Sequence, residues 1–242
     1  MLSADVEVLR WPSSMDDSLL LQKLHLDLAR LSRVARFLIY DDAHFPDYLL
    51  SVLGDPDHAF TRPAGSSNAS GFCHLRIVDE GLFLNNIYLA PEYRRRGAGR
   101  KLLHDTILLL KTARHVSVEL DVHESNMRAL AWYRRLGFEE VDRTTWLFLG
   151  TPLAPESQPG ICLRSDDNRF SQIYSHDLHI GTRIGRRAIL NGTDFAERLG
   201  ARDFDEVAAR VPAREMSPRG VVLETSIRLR ADVEQVLEEL AR

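Results

Sequence analysis

Arg94-Arg95-Arg96-Gly97-Ala98-Gly99-Arg100-Lys101 packs five cations and two glycines into eight positions. An apolar segment, Ile87-Tyr88-Leu89, precedes it, and Leu102-Leu103 follows. The pattern reads as a strand, a short glycine loop and the start of an apolar helix. The first N–H groups of a helix lack intrahelical partners, and the helix dipole adds positive potential there. Glycines let a ligand approach such a backbone closely. The chemistry this build supports is the binding of a phosphate-bearing group.

The chain of 242 residues carries a net charge of −4. A mildly acidic whole with a local basic cluster points to one anionic ligand site, not to a general affinity for nucleic acid or acidic membrane. Cys73 and Cys162 are the only cysteines. No disulfide framework is expected, each is read as a small buried residue, and a reducing, cytoplasmic setting follows. The N-terminal stretch with Asp5 and Glu7 lacks a signal pattern, and no apolar run reaches membrane-spanning length.

A second segment stands out at Val118-Glu119-Leu120-Asp121-Val122-His123-Glu124-Ser125-Asn126, continuing through Tyr133 to Gly137-Phe138. Val118, Leu120 and Val122 alternate with Glu119 and Asp121, as in a strand with one buried face. Ser125 is positioned to cap a helix that stops at Gly137. Seven helical residues turn through about 700°, so Asn126 and Tyr133 share a face. Asn126 is read equally well as a partner in the helix cap, while for Tyr133 a ligand-facing role is preferred to that of a core aromatic.

The two segments together resemble the acetyl-CoA-binding signatures of the GNAT superfamily of N-acetyltransferases. Arg94, Gly97 and Gly99 match its Arg-x-x-Gly-x-Gly loop. Asn126, Ala129, Tyr133, Gly137 and Phe138 match its second signature. The resemblance implies acetyl-CoA as cosubstrate, held by Tyr88, Leu89, Arg94, Arg95, Arg96, Gly97, Ala98, Gly99, Arg100, Lys101 and Asn126. The strand at Tyr88 and Leu89 should splay from the strand ending at Val122. The Leu89 N–H would stabilise the oxyanion formed as an amine attacks, and Tyr133 would be the catalytic acid for the departing thiolate. With reference values near 10 for a phenol and about 8.5 for a thiol, that transfer is uphill by roughly 2 kcal/mol. A modestly lowered phenol pKa or a partial transfer would offset this. Many relatives place a carboxylate before the loop. Here Asn85 and Asn86 stand there, so the base stays open among Glu119, Asp121, Asp79, Glu80, a water relay and an amine that arrives neutral. The missing carboxylate also motivates an alternative, an acyl-CoA-binding regulatory module without turnover.

The elements that must position these groups follow in order. A strand starts at Val6. Helices cover Leu20 to Leu31 and Phe45 to Leu53, and strands run over His58 to Arg62, Gly71 to Val78 and Leu82 to Leu89. A helix spans Arg100 to Thr112, a strand lies around Val118, a helix ends at Leu136, and Phe138 to Leu149 forms a hairpin. The expected fold is mixed α/β: a mostly antiparallel sheet flanked by helices, GNAT-like, over residues 1–149. Gly150 to Gly160, with three prolines, reads as a linker. Residues 161–242 read as a smaller α+β domain with helices at Asp194–Leu199 and Asp203–Arg210, a strand at Val221–Leu229 and a closing helix at Asp232–Leu240. Its 13 Arg against 14 acidic residues argue against a winged DNA-binding role. His176 and His179 are read as a polar turn, with no metal expected. The expected partners are an amine-bearing small molecule or peptide acceptor and a second copy of the chain, with neither membrane nor nucleic acid.

Overall fold

Alternation of apolar and polar residues builds the sheet, and helical spacing builds the layers on its faces. The computed structural model describes residues 6–8, 15–30, 32–63, 70–94, 97–165, 170–215 and 220–242. Its elements begin with β1 (Val6–Val8), α1 (Met15–Ala29), α2 (Phe45–Leu53), β2 (His58–Pro63), β3 (Gly71–Val78) and β4 (Gly81–Leu89). Next come α3 (Ala98–Leu110), β5 (Ser117–His123), α4 (Met127–Arg135) and β6 (Glu139–Gly150). The rest are β7 (Ile161–Ser165), β8 (Ser171–Ser175), β9 (Leu178–Ile184), β10 (Arg187–Leu190), β11 (Glu206–Pro212), β12 (Val221–Asp232) and α5 (Val233–Ala241). The described strands form one sheet, ordered β1-β2-β3-β4-β5-β12-β6-β11-β10-β9-β8-β7. Only β4–β5 and β10–β11 pair in parallel. The fold is thus mixed α/β with a mostly antiparallel sheet.

Two cores lie on opposite sides of the first strands. Leu75, Leu82, Leu84, Val118 and Leu120 pack with Leu102, Leu103 and Ile107 of α3 and with Tyr133 of α4. Phe60 and Phe72 pack with Leu21 and Leu24 of α1 and Phe45 and Leu49 of α2. Glu119 and Asp121 alternate with the buried Val118, Leu120 and Val122 along β5, as expected.

The C-terminal part differs from the expected organisation. β12 inserts between β5 and β6, with Leu229 opposite Leu120 on one side and Glu140 on the other. Ile227, Leu229, Val233, Val236 and Leu240 belong to the α3–α4 core. Residues 161–242 therefore do not stand apart behind a linker. The segment from β7 to β11 is an excursion between β6 and β12, and its last strand, β11, pairs with β6. In place of a hairpin over Phe138 to Leu149 there is one long strand, β6 (Glu139–Gly150), which has β12 and β11 as neighbours and needs no return strand of its own. The expected helix at Asp203–Arg210 is strand β11, whose Val207, Ala208 and Ala209 are all buried in the sheet. Tertiary pairing overrides local helical preference there. At Asp194–Leu199 only a 3-10 turn, Ala196–Arg198, forms.

The excursion is fastened to the segment after α1. Arg187 makes a two-pronged ion pair with Asp41, at 2.9 and 3.0 Å, and Arg36 pairs with Glu206 at 2.8 Å. Val34, Phe37, Trp146, Ile184 and Ile189 form a shared apolar cluster beneath these pairs.

Fully burying one large aliphatic side chain is worth about 1.5–3 kcal/mol, and whole-domain stability is about 5–15 kcal/mol. Removing the five apolar residues of β12 and α5 named above, and stripping β5 and β6 of the strand they both pair with, exceeds that margin. A chain ending at residue 160 is expected to lose cooperative thermal unfolding followed by circular dichroism. A sharp transition near that of the whole chain would contradict this placement of β12.

Candidate active site

The notch between β4 and β5 follows from their register. They pair from Gly81–Ser117 to Leu84–Leu120 and no further. β3 opposes Leu84 with Leu75 and Asn86 with His74, so Asn85 is an extra residue on β4. A bulge of this kind bends its strand and increases its twist. Beyond it β4 stays with β3 as far as Leu89, while β5 stays with β12 as far as His123. Ala90 donates its N–H to the Ser70 carbonyl, on the β3 side, at 2.9 Å. Alternation along the strand then turns the Leu89 N–H toward the notch.

The loop that follows closes one end of this notch. Arg94 donates from Nε to the Leu89 carbonyl at 2.7 Å, and its guanidinium lies 5.8 Å from the Tyr88 ring centre. Arg95 and Arg96 lie outside the described residues. Gly97 caps α3 with φ of 75°, a left-handed conformation suited to glycine, and a Cβ there would meet nothing within 4 Å. No described atom thus crowds the Cβ direction of Gly97, and Ala98 and Gly99 form the first turn of α3. A Cβ on Gly99 would come 3.5 Å from Leu89, so helix start and strand end are neighbours. Arg100 is held by the Glu239 carbonyl of α5, and Lys101 by Asp105 at 2.9 Å. Main-chain amides, more than these two cations, are left to meet an anion.

On α4, Asn126 Oδ1 accepts from the Ala129 N–H at 3.2 Å and is the helix cap. Ser125, expected to cap, donates instead to Glu224 of β12 at 2.5 Å. Tyr133, at 6% exposure, sits edge-on to Phe138 with 5.6 Å between ring centres. No described residue hydrogen-bonds its hydroxyl, and no buried side-chain oxygen among the described residues lacks a partner. The hydroxyl is therefore not sealed from its surroundings. Burial, with Cys73 nearby, raises its pKa well above the ordinary phenol value. Of the two routes open from sequence, this disfavours a lowered phenol pKa and leaves partial transfer. Neutral Tyr133 is a hydrogen-bond donor across the physiological range.

On the α1–α2 side, a cavity of about 360 Å³ opens beside Asn85 and Asn86. His25, Tyr40, Phe45 and Tyr48 come from the N-terminal helices and their connection, His74 and Arg76 from β3. Trp146, Thr182, Ile184, Ile189 and Arg210 close it from β6 and the excursion. Sequence reasoning found none of these beyond the two asparagines, because they converge only through the fold.

The Acetyltransferase (GNAT) family matches residues 25–138. This stretch of the chain is similar to a GNAT-family acetyltransferase domain. Over 71 residues it is 39% identical to the [ribosomal protein bS18]-alanine N-acetyltransferase of Salmonella typhimurium, covering 29% of this chain and 48% of that protein. It is 29% identical over 86 residues to the spermidine N(1)-acetyltransferase of Thermoplasma acidophilum, covering 36% and 53%. The chain thus spans about half the length of the curated relatives it matches. The fold is similar to the GCN5-related N-acetyltransferase of Sphaerobacter thermophilus, with a TM-score of 0.56 at 14% identity over 94% of this chain and 95% of that one. A Pyrococcus horikoshii structure gives a TM-score of 0.63 at 11% identity, covering 96% and 90%.

Within this stretch, the carboxylates considered as bases are all placed. Glu119 accepts from Arg230 Nε at 2.6 Å, and Asp121 from Arg228 at 2.5 and 2.8 Å. Asp79 and Glu80 turn the chain between β3 and β4, at the far end of β4 from Leu89. His123 ends β5, with Nδ1 3.3 Å from the Ser226 hydroxyl, while Glu124 pairs with Arg143 at 2.7 Å. No helix among the described residues is long and apolar enough to cross a membrane.

The cavity wall holds a neutral imidazole network. His25 Nδ1 lies 2.7 Å from the Leu21 carbonyl, a pure acceptor, so Nδ1 carries the proton. Asn86 bonds the same ring and donates to the Tyr40 hydroxyl at 3.0 Å. His74 stacks on Phe60, 3.8 Å between centres, and meets His58 at 2.9 Å. Burial lowers the His25 pKa from 6.5 to about 4, and that of His74 well below 6.5. The unfolded chain binds these protons first, so stability is lost as pH falls from 6.5 toward 4. For His25 alone the loss is about 3 kcal/mol at full titration. Thermal melts at stepped pH should show His25→Gln flattening the acid slope relative to wild type. Parallel slopes would remove His25 as a source of acid lability.

Proposed function

We propose that the chain transfers an acetyl group from acetyl-CoA to an amine by direct attack within a ternary complex. The observation that carries this reading is the unpaired β4 edge at Leu89, beside the helix start at Gly97, with a cavity on the other face at Asn85–Asn86. The amides of Gly97 to Arg100 suit a diphosphate, and no described atom crowds the Cβ direction of Gly97. Arg94, Arg95, Arg96 and Asn126 complete the proposed cofactor contacts. Acetyl-CoA supplies the activated acyl group.

The Leu89 N–H donates to the carbonyl oxygen of the acyl group as negative charge develops there. The amine nitrogen bonds to the carbonyl carbon, and the carbon–sulfur bond breaks. Tyr133 donates a hydrogen bond to the departing sulfur. Its raised pKa makes this a partial transfer, and the thiolate takes its proton finally from solvent. Among the described residues no Asp or Glu lines the cavity, so the amine enters in its neutral form and gives up a proton to cavity water after attack.

Incubation with acetyl-CoA and a broad set of amines should release free thiol. Tyr133→Phe is expected to lower kcat by about 10² or more while changing acetyl-CoA affinity less than twofold. Tight acetyl-CoA binding without thiol release on any amine would replace this reading with a non-catalytic acyl-CoA sensor. An equal loss of affinity and turnover would make Tyr133 a packing residue.

A further inference from the structure

We infer that the acceptor is a small primary amine that also bears an anionic group, and that Arg76 and Arg210 recognise that group. The inference rests on the acetyl-transfer reading above and adds its substrate class.

The cavity wall supplies the argument. Its walls are aromatic and aliphatic side chains, asparagines and neutral imidazoles, and its charged residues are Arg76 and Arg210. Neither makes an ion pair within 4 Å among the described residues, and the carboxylate that acts on Arg210, Asp121, is itself paired with Arg228. The Arg76 guanidinium lies 5.2 Å from the Phe83 ring centre. Arg210 donates to the Asn191 side-chain oxygen at 2.7 Å and lies 5.6 Å from the Trp146 ring centre. The arginines around the cavity are otherwise committed: Arg36 to Glu206, Arg187 to Asp41, Arg228 to Asp121 and Arg230 to Glu119. Nearby carboxylates are equally committed. Asp42 accepts from the Gly185 N–H at 3.1 Å and from the His44 N–H at 2.9 Å.

A polyamine would bring a second ammonium into this cavity and find guanidinium groups instead of carboxylates. That is a repulsive arrangement, and such arrangements set specificity. A carboxylate or phosphate, in contrast, matches the planar donor fork of a guanidinium. Aromatic faces beside it suit the apolar body of the molecule, and the reacting nitrogen points toward Asn85 and Asn86, where β4 leaves β5.

The test compares matched pairs on the whole protein by thiol release: β-alanine against β-alaninamide, phosphoethanolamine against ethanolamine, and spermidine. At least one anionic amine should exceed its neutral mate in kcat/KM by about tenfold or more, the usual range for a charge-assisted contact. The better pair tells carboxylate from phosphate. Arg76→Gln and Arg210→Gln should each narrow that ratio, mainly through KM. Equal or better turnover of the neutral mates or of spermidine would overturn the inference and leave acetyl transfer standing. Should no amine turn over, calorimetry on the coenzyme A-saturated protein decides. Heat from the anionic amine alone would uphold the acceptor class while acetyl transfer falls. No heat from any anionic amine would overturn it.

Discussion

One extra residue in β4, Asn85, separates two strands that begin as a parallel pair. Ahead of it, β4 and β5 share a ladder and a common core. Behind it, each keeps a partner on its outer side, β3 or β12, and loses the one between them. An unpaired backbone edge in a sheet interior is costly unless something supplies hydrogen bonds. The loss is bearable because both strands remain anchored at their outer edges. A Cβ on Gly99 would come 3.5 Å from the Leu89 side chain, so the unpaired edge and the helix start are neighbours.

The insertion of β12 has the same logic. β5 needs an outer partner to hold its half of the notch, and β12 provides it through a register running from Ser117 to His123. The excursion that precedes β12 reaches across to the N-terminal helices, fixed by Arg187–Asp41 and by the apolar cluster of Phe37 and Ile184. Its strands thereby become a wall of the cavity beside Asn86. Segments far apart in sequence shape the proposed acceptor site, while neighbours in sequence shape the proposed cofactor site.

That difference explains what was legible beforehand. The glycine loop, α3, β5 and α4 announce themselves through local spacing, and the bounds of α2 and β3 could be read directly. The splay was expected from family resemblance, and the register now supplies its cause. What escaped was non-local. No local pattern in Val221–Asp232 says that it enters the middle of a sheet, and none in Glu206–Pro212 distinguishes a buried strand from a short helix. The pairing of Ser125 with Glu224 spans the same distance, which is why Asn126 caps α4 alone. His25, Arg76 and Arg210 looked ordinary in sequence because their meaning lies in facing one cavity.

The most direct measurement is amide hydrogen exchange with and without acetyl-CoA. If the open edge of β4 and the start of α3 hold the thioester carrier, exchange should slow selectively at Leu89 and from Gly97 to Arg100. Little change is expected in β7 to β9. Unaltered exchange at those amides in protein saturated with acetyl-CoA, or protection confined to another surface, would contradict the account.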